Sequence, residues 1–144
     1  RRDGKVWMQE YKRGKPLKAA KPVGTTKKIG TIITFKPDAE IFTELEFSWG
    51  KILDRLRQQA YLTKGITIKA SDRRPGHRAK DFKFYFEGGV KAYVKALNHN
   101  KTVKNETIFY VDKEVDSSRV EVALQYNDEY NEIVLPFANN ILNP

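Results

Sequence analysis

Between residues 48 and 62 the apolar side chains Ile52, Leu53, Leu56, Ala60 and Tyr61 recur at three- and four-residue intervals. Residues 66–70 and 81–87 instead alternate, with Phe82, Phe84 and Phe86 on one side of the second segment. The first spacing lines one face of a helix and the second one face of a strand. A chain that changes period in this way must fold as a mixture of helix and sheet. Ser48 stands where a helix N-cap belongs, and Thr63-Lys64-Gly65 supplies a stop with glycine past the last turn. The alternating segments flank a polar turn over residues 72–78 containing Pro75-Gly76, which predicts an antiparallel pair.

The same reading extends outward. Residues 6–11 predict a strand, Lys12-Arg13-Gly14-Lys15-Pro16 a turn, and residues 21–26 a basic loop. After Gly88-Gly89, the residues Val90, Ala92, Tyr93, Val94, Ala96 and Leu97 predict a second helix ending near residues 98–100. The glycine pair lacks a GxGxxG or Walker lysine pattern and reads as a tight turn rather than a phosphate cradle. Three more strands are expected over residues 107–112, 119–126 and 132–137, the start of a second unit.

Residues 30–36, Gly-Thr-Ile-Ile-Thr-Phe-Lys, form a β-branched run closed by Pro37, which cannot donate to a ladder, and by Asp38, which caps a short helical turn through Ile41 and Phe42. A strand is expected here. Gly30 permits close backbone approach, and the Thr31 hydroxyl on a buried strand both donates and accepts, as recognition of a nucleobase edge requires. The alternative is a core strand whose threonine is satisfied locally.

At 144 residues, with 40% hydrophobic and 12% aromatic content, the chain has enough apolar surface for a core but no run long enough to span a membrane. It has no cysteine, so neither a disulfide framework nor a thiolate metal site is available, and a cytoplasmic setting is expected. The +9 net charge is uneven: residues 1–28 hold ten basic and two acidic side chains, a net of +8, and the rest is nearly balanced. Such a block attracts an anionic partner or is simply a solvated hairpin and loop. His77 and His99 lack a second ligand at helical spacing and read as surface residues. Glu40, Glu44 and Glu46 have the spacing of a solvated acidic turn, and no GxSxG or HExxH pattern occurs. No catalytic residue and no metal ligand is assigned.

A resemblance adds to this reading. Arg2-Asp3-Gly4-Lys5, Gln9-Glu10-Tyr11, Arg13-Gly14-Lys15-Pro16, Gly30-Thr31 with Phe35-Lys36-Pro37-Asp38 and Ile41-Phe42 follow a known order. So do Arg55-Leu56-Arg57, Phe86-Glu87-Gly88-Gly89, Leu97-Asn98 with Lys101, the run from Val120 to Asp128, and Phe137-Ala138-Asn139-Asn140. The ordered set resembles the B subunits of the bacterial type II DNA topoisomerases, DNA gyrase and topoisomerase IV, over almost the whole chain.

The resemblance implies an α/β (α+β) two-layer sandwich: part of a GHKL (Bergerat) ATPase fold over residues 1–100, then the first strands of a ribosomal-S5-like transducer domain over residues 101–144. It implies ATP and Mg²⁺ as cofactors and double-stranded DNA, a gyrase A or topoisomerase IV A subunit, and a second B subunit as partners, with no membrane. In this family a threonine matching Thr31 recognises adenine beside Gly30. A β-branched residue matching Ile33 lines the pocket, and an arginine matching Arg2 stands at its mouth, where aminocoumarins bind. The family's catalytic glutamate, magnesium-binding asparagine, adenine-binding aspartate, glycine-rich lid and transducer lysine match nothing here. The resemblance therefore implies an internal piece of the subunit, inactive alone. A second reading is a basic nucleic-acid-binding module without enzymatic activity, with Trp7 and Tyr11 available to stack on bases.

Overall fold

Two-residue turns shape Arg1–Phe47, the first of two units into which the chain divides; the computed structural model describes residues 1–76 and 79–143. Strand β1 (Lys5–Met8) pairs antiparallel with β4 (Lys21–Thr25), with a register shift between Val6 and Trp7. Between them β2 (Tyr11–Lys12) and β3 (Lys15–Pro16) form a small hairpin around Arg13 and Gly14, both at positive φ, the backbone that a two-residue hairpin turn demands. Asp38 caps the expected turn: its Oδ1 accepts from the Glu40 N–H at 3.0 Å and its carbonyl from the Ile41 and Phe42 N–H groups.

The strand expected over residues 30–36 is absent. Among the described residues only Gly30 of this run has a backbone partner, Arg1, and Ile33 is 82% exposed. A β-branched run fixes the preference of each residue but not the existence of a neighbouring strand to complete the ladder. No such neighbour is present among the described residues.

The second unit, Ser48–Pro144, holds the core. Helix α1 (Trp49–Leu62) begins where Ser48 Oγ accepts from the Lys51 N–H at 3.5 Å, and it stops at Thr63, with Gly65 at φ 76°. Strands β5 (Ile68–Asp72) and β6 (Lys80–Phe84) pair antiparallel with Ala70 opposite Phe82, so the first lies two residues later than the alternation predicts. Leu53, Ala60, Ala70 and Phe84 are buried together, with Trp49, Leu56, Ile68 and Phe86 packed on them. Tyr61 stacks on Phe86 at 3.7 Å and on Tyr93 at 4.9 Å between ring centroids. Of the three alternating phenylalanines, Phe84 is buried, Phe86 is half-buried beyond the strand end, and Phe82 is exposed at the edge beside Trp49. His77 and Arg78 of the expected turn lie outside the described residues, and His99 is exposed.

Helix α2 (Gly89–Leu97) starts at Gly88 and ends at Asn98, as expected. A hairpin of β7 (Phe109–Val115) and β8 (Ser118–Leu124) follows, turning tightly at Asp116-Ser117 rather than through the longer polar segment expected. The strand expected over residues 132–137 does not form. Residues 132–136 have no strand partner among the described residues, and only the short pair β9 (Phe137–Ala138) and β10 (Ile141–Leu142) closes around Asn139 and Asn140, both at positive φ. Two helices among short antiparallel strands place the chain in the α+β class. No helix among the described residues is long and apolar enough to cross a membrane.

Candidate functional site

In the first unit backbone hydrogen bonds join the residues that precede Arg2 and Thr31. The Gly30 N–H donates to the Arg1 carbonyl at 3.3 Å, and the Arg1 nitrogen donates to the Gly30 carbonyl at 3.0 Å. Arg2 follows the first of these residues and Thr31 the second. Gly30 has φ +144°, a conformation L side chains rarely adopt, yet a Cβ there would meet no atom within 4 Å. Conformation rather than crowding requires the glycine, which corrects the expectation of a close neighbour. Thr31 is exposed, not buried, and its hydroxyl has no hydrogen-bond partner among the described residues. Ile33 is exposed, and among the described residues the Arg2 side chain reaches Asp3 alone, at 3.6 Å, while its backbone bonds Lys5.

A cleft of about 620 Å³ lies in the same unit, between the β2–β3 turn and the segment after residue 34; Tyr11, Arg13, Phe35, Asp38, Ile41 and Phe47 help line it. Arg13 Nε binds Asp38 Oδ2 at 2.8 Å and its terminal nitrogen binds Glu40 at 2.5 Å, while Phe35 and Phe47 meet edge to face at 6.0 Å. Glu40 is therefore engaged by a guanidinium rather than paired with Glu44 or Glu46.

A second polar centre lies within the second unit. Lys64 Nζ sits 2.6 Å from Glu121, 2.5 Å from the Tyr110 hydroxyl and 3.6 Å from Asp112. The Tyr110 O–H donates to Glu121 at 2.6 Å, and Arg119 grips Asp112 with two nitrogens at 2.8 and 2.7 Å. Glu121 and then Tyr110 hold the Lys64 ammonium above the usual lysine range, and the Arg119 guanidinium holds the Asp112 carboxyl well below the usual carboxylate range. Hydrogen bonding to Glu121 raises the Tyr110 hydroxyl. No motif in the sequence points to these residues. The signal is the strand period: Tyr110 with Asp112, and Arg119 with Glu121, fall on one side of their strands while Val111, Val120 and Val122 fall on the other.

At the Gly88-Gly89 pair, which opens α2, the Lys64 stem occupies the space beside Gly89. Among the described residues no three His, Cys, Asp or Glu side chains come together where a metal could sit.

Known proteins share both the sequence and this fold. The DNA gyrase B family model matches residues 89–144. The DNA gyrase B subunit of Clostridium acetobutylicum is 44% identical over 140 residues, covering 96% of this chain and 22% of that protein. Its counterpart in Bacillus mycoides is 43% identical over 141 residues, covering 97% of this chain and 34% of that protein. The crystal structure of the 43K ATPase domain of Thermus thermophilus gyrase B, in complex with an aminocoumarin, superposes with a TM-score of 0.80 at 36% identity, covering 98% of this chain and 38% of that one. The chain thus spans between a fifth and about a third of these curated relatives. In fold and in sequence the chain is thus similar to the B subunits of bacterial type II topoisomerases. Within that class, the family model and the relatives that it matches are those of DNA gyrase B.

Proposed function

We propose that this chain is part of the ATP-operated clamp of a type II DNA topoisomerase, which changes DNA supercoiling by ATP-dependent strand passage. Residues 1–100 would form the C-terminal half of the GHKL ATPase domain and residues 101–144 the opening of the transducer. One observation carries the reading. Beside a glycine whose backbone only glycine readily adopts, Thr31 presents a hydroxyl with no partner among the described residues. This occurs in a chain that a gyrase B ATPase domain matches over nearly its whole length.

The residues fit one wall of a nucleotide site. The Thr31 hydroxyl donates to and accepts from an adenine edge, Ile33 gives its exposed apolar side chain to the base, and Arg2 stands at the mouth. ATP, when bound, supplies the phosphoanhydride whose hydrolysis resets the clamp. No three His, Cys, Asp or Glu side chains cluster among the described residues, and Mg²⁺ would be held by other residues of the intact subunit together with the ATP phosphates. The partners of the intact subunit are double-stranded DNA, the gyrase A or topoisomerase IV A subunit and a second B subunit, in the cytoplasm.

The test is direct. The intact subunit joined to its A partner should introduce supercoils into DNA only with ATP, while the 144-residue chain alone should bind ATP weakly and turn none over. Steady turnover by the chain alone, or strand passage indifferent to ATP, would overturn the proposal.

A further inference from the structure

Lys64 lies two residues beyond the end of α1. Its stem runs against Gly89 so closely that a Cβ on that residue would overlap Lys64 Cε and stand 2.8 Å from Cγ. Gly89 is buried and has φ +56°, so the start of α2 is shaped to let the lysine through. Beyond it the ammonium meets Glu121 and Tyr110 on the hairpin and sits 5.0 Å from the centre of the Tyr110 ring.

The hairpin's orientation makes this contact matter. Tyr110, Glu121 and Ala123 are its half-buried residues, whereas Phe109, Val111, Val120, Val122 and Leu124 are exposed. The polar face, not the apolar one, is turned toward the helices. Attachment by hydrophobic burial is therefore weak here, and directed polar contacts hold the strands: Lys64 at one place, and the Asn98 amide, which donates to Gln125 at 3.0 Å, at another.

We propose that Lys64 is a positioning residue that pins the β7–β8 hairpin to the end of α1 and the start of α2, so that hairpin and helices move as one body when the nucleotide state changes. It acts through Glu121 and Tyr110. The functional half of the proposal rests on the reading that the helices belong to the ATPase domain and the hairpin to the transducer. The ammonium is partly solvated, so the pin is a modest, salt-sensitive network rather than a folding determinant.

The experiment uses the intact subunit with its A partner and compares the unmodified protein with Lys64→Met, which keeps the stem against Gly89, with Glu121→Gln, and with the double variant. Hydrogen exchange of the hairpin amides should quicken by about threefold in each single variant and by less than the product of the two in the double, because both changes break the shared Lys64–Glu121 contact. ATP consumed per strand passage should rise by about threefold or more, with binding of a nonhydrolysable ATP analogue changed by less than about twofold. Unchanged exchange in both single variants would overturn the proposal, as would additive effects in the double. Because the exchange measurement needs no nucleotide, failure of the unmodified subunit to bind the analogue would count against the domain reading alone, and exchange would still decide the pin.

Discussion

Gln59 Nε2 donates to the Asn140 carbonyl oxygen at 2.7 Å, and Arg55, one turn earlier on α1, reaches the same oxygen at 3.4 Å. Two residues four apart on a helix face thus converge on one backbone acceptor in the β9–β10 turn. The acceptor is available because Asn140 has φ 63°, a conformation asparagine tolerates better than most residues.

Removing the shorter donor should loosen the turn without disturbing the helix. Gln59→Ala is expected to cost about 1 kcal/mol, read as lowered hydrogen-exchange protection of β9 and β10 with α1 unchanged. Equal loss in both elements would show that the contact does not act locally.

Phe84 and Phe82 share one strand and differ in burial, at 6% and 41% exposed. Phe84→Ala should destabilise the second unit by about 3 kcal/mol or more, since it empties the centre of the core, and Phe82→Ala by less than half of that. Native-state exchange of the α1 amides measures both. Similar losses would contradict the β5–β6 register.

Gly89→Ala combines a left-handed backbone with a collision against the Lys64 stem. The backbone part should cost about 1–2 kcal/mol and the collision should add to it. Lys64→Ala in the same protein should restore only the second part, so the double variant should be more stable than Gly89→Ala alone by exchange or thermal unfolding.

Arg119 holds the Asp112 carboxyl low in the fold, Ser71 and then Arg73 hold Asp81 low, and Thr102 holds Asp128 low. A depressed folded-state pKa gives stability that is full above the unfolded value, about 4, and is lost as pH falls through the folded value. Protection of the β7–β8 amides should therefore hold from neutral pH to about pH 5 and decline below about pH 4, and Asp112→Asn should flatten that decline. An unchanged acid profile in Asp112→Asn would remove Arg119–Asp112 from the account.

Periodicity made the second unit's frame legible: α1 with its Ser48 cap, α2, and the β5–β6 pair all follow from local spacing. What escaped it needed partners distant in sequence. The run after Gly30 has every local mark of a strand and no ladder, because strand pairing is not a property of one segment. The segment over residues 132–136 likewise has no strand partner among the described residues. Lys64 has the local look of a helix stop, and only the fold shows it reaching residues 46 and 57 positions away. Of the site, Gly30-Thr31 was legible as a motif, whereas its openness was not.

Thr31 is proposed to help recognise adenine in the intact subunit. Calorimetric titration of a nonhydrolysable ATP analogue into that subunit and its Thr31→Ala variant tests it most directly. Loss of one hydrogen bond to the base should weaken binding by about tenfold while leaving the thermal midpoint without nucleotide unchanged. Equal affinity in the two proteins would return Thr31 to an ordinary surface threonine and contradict the account.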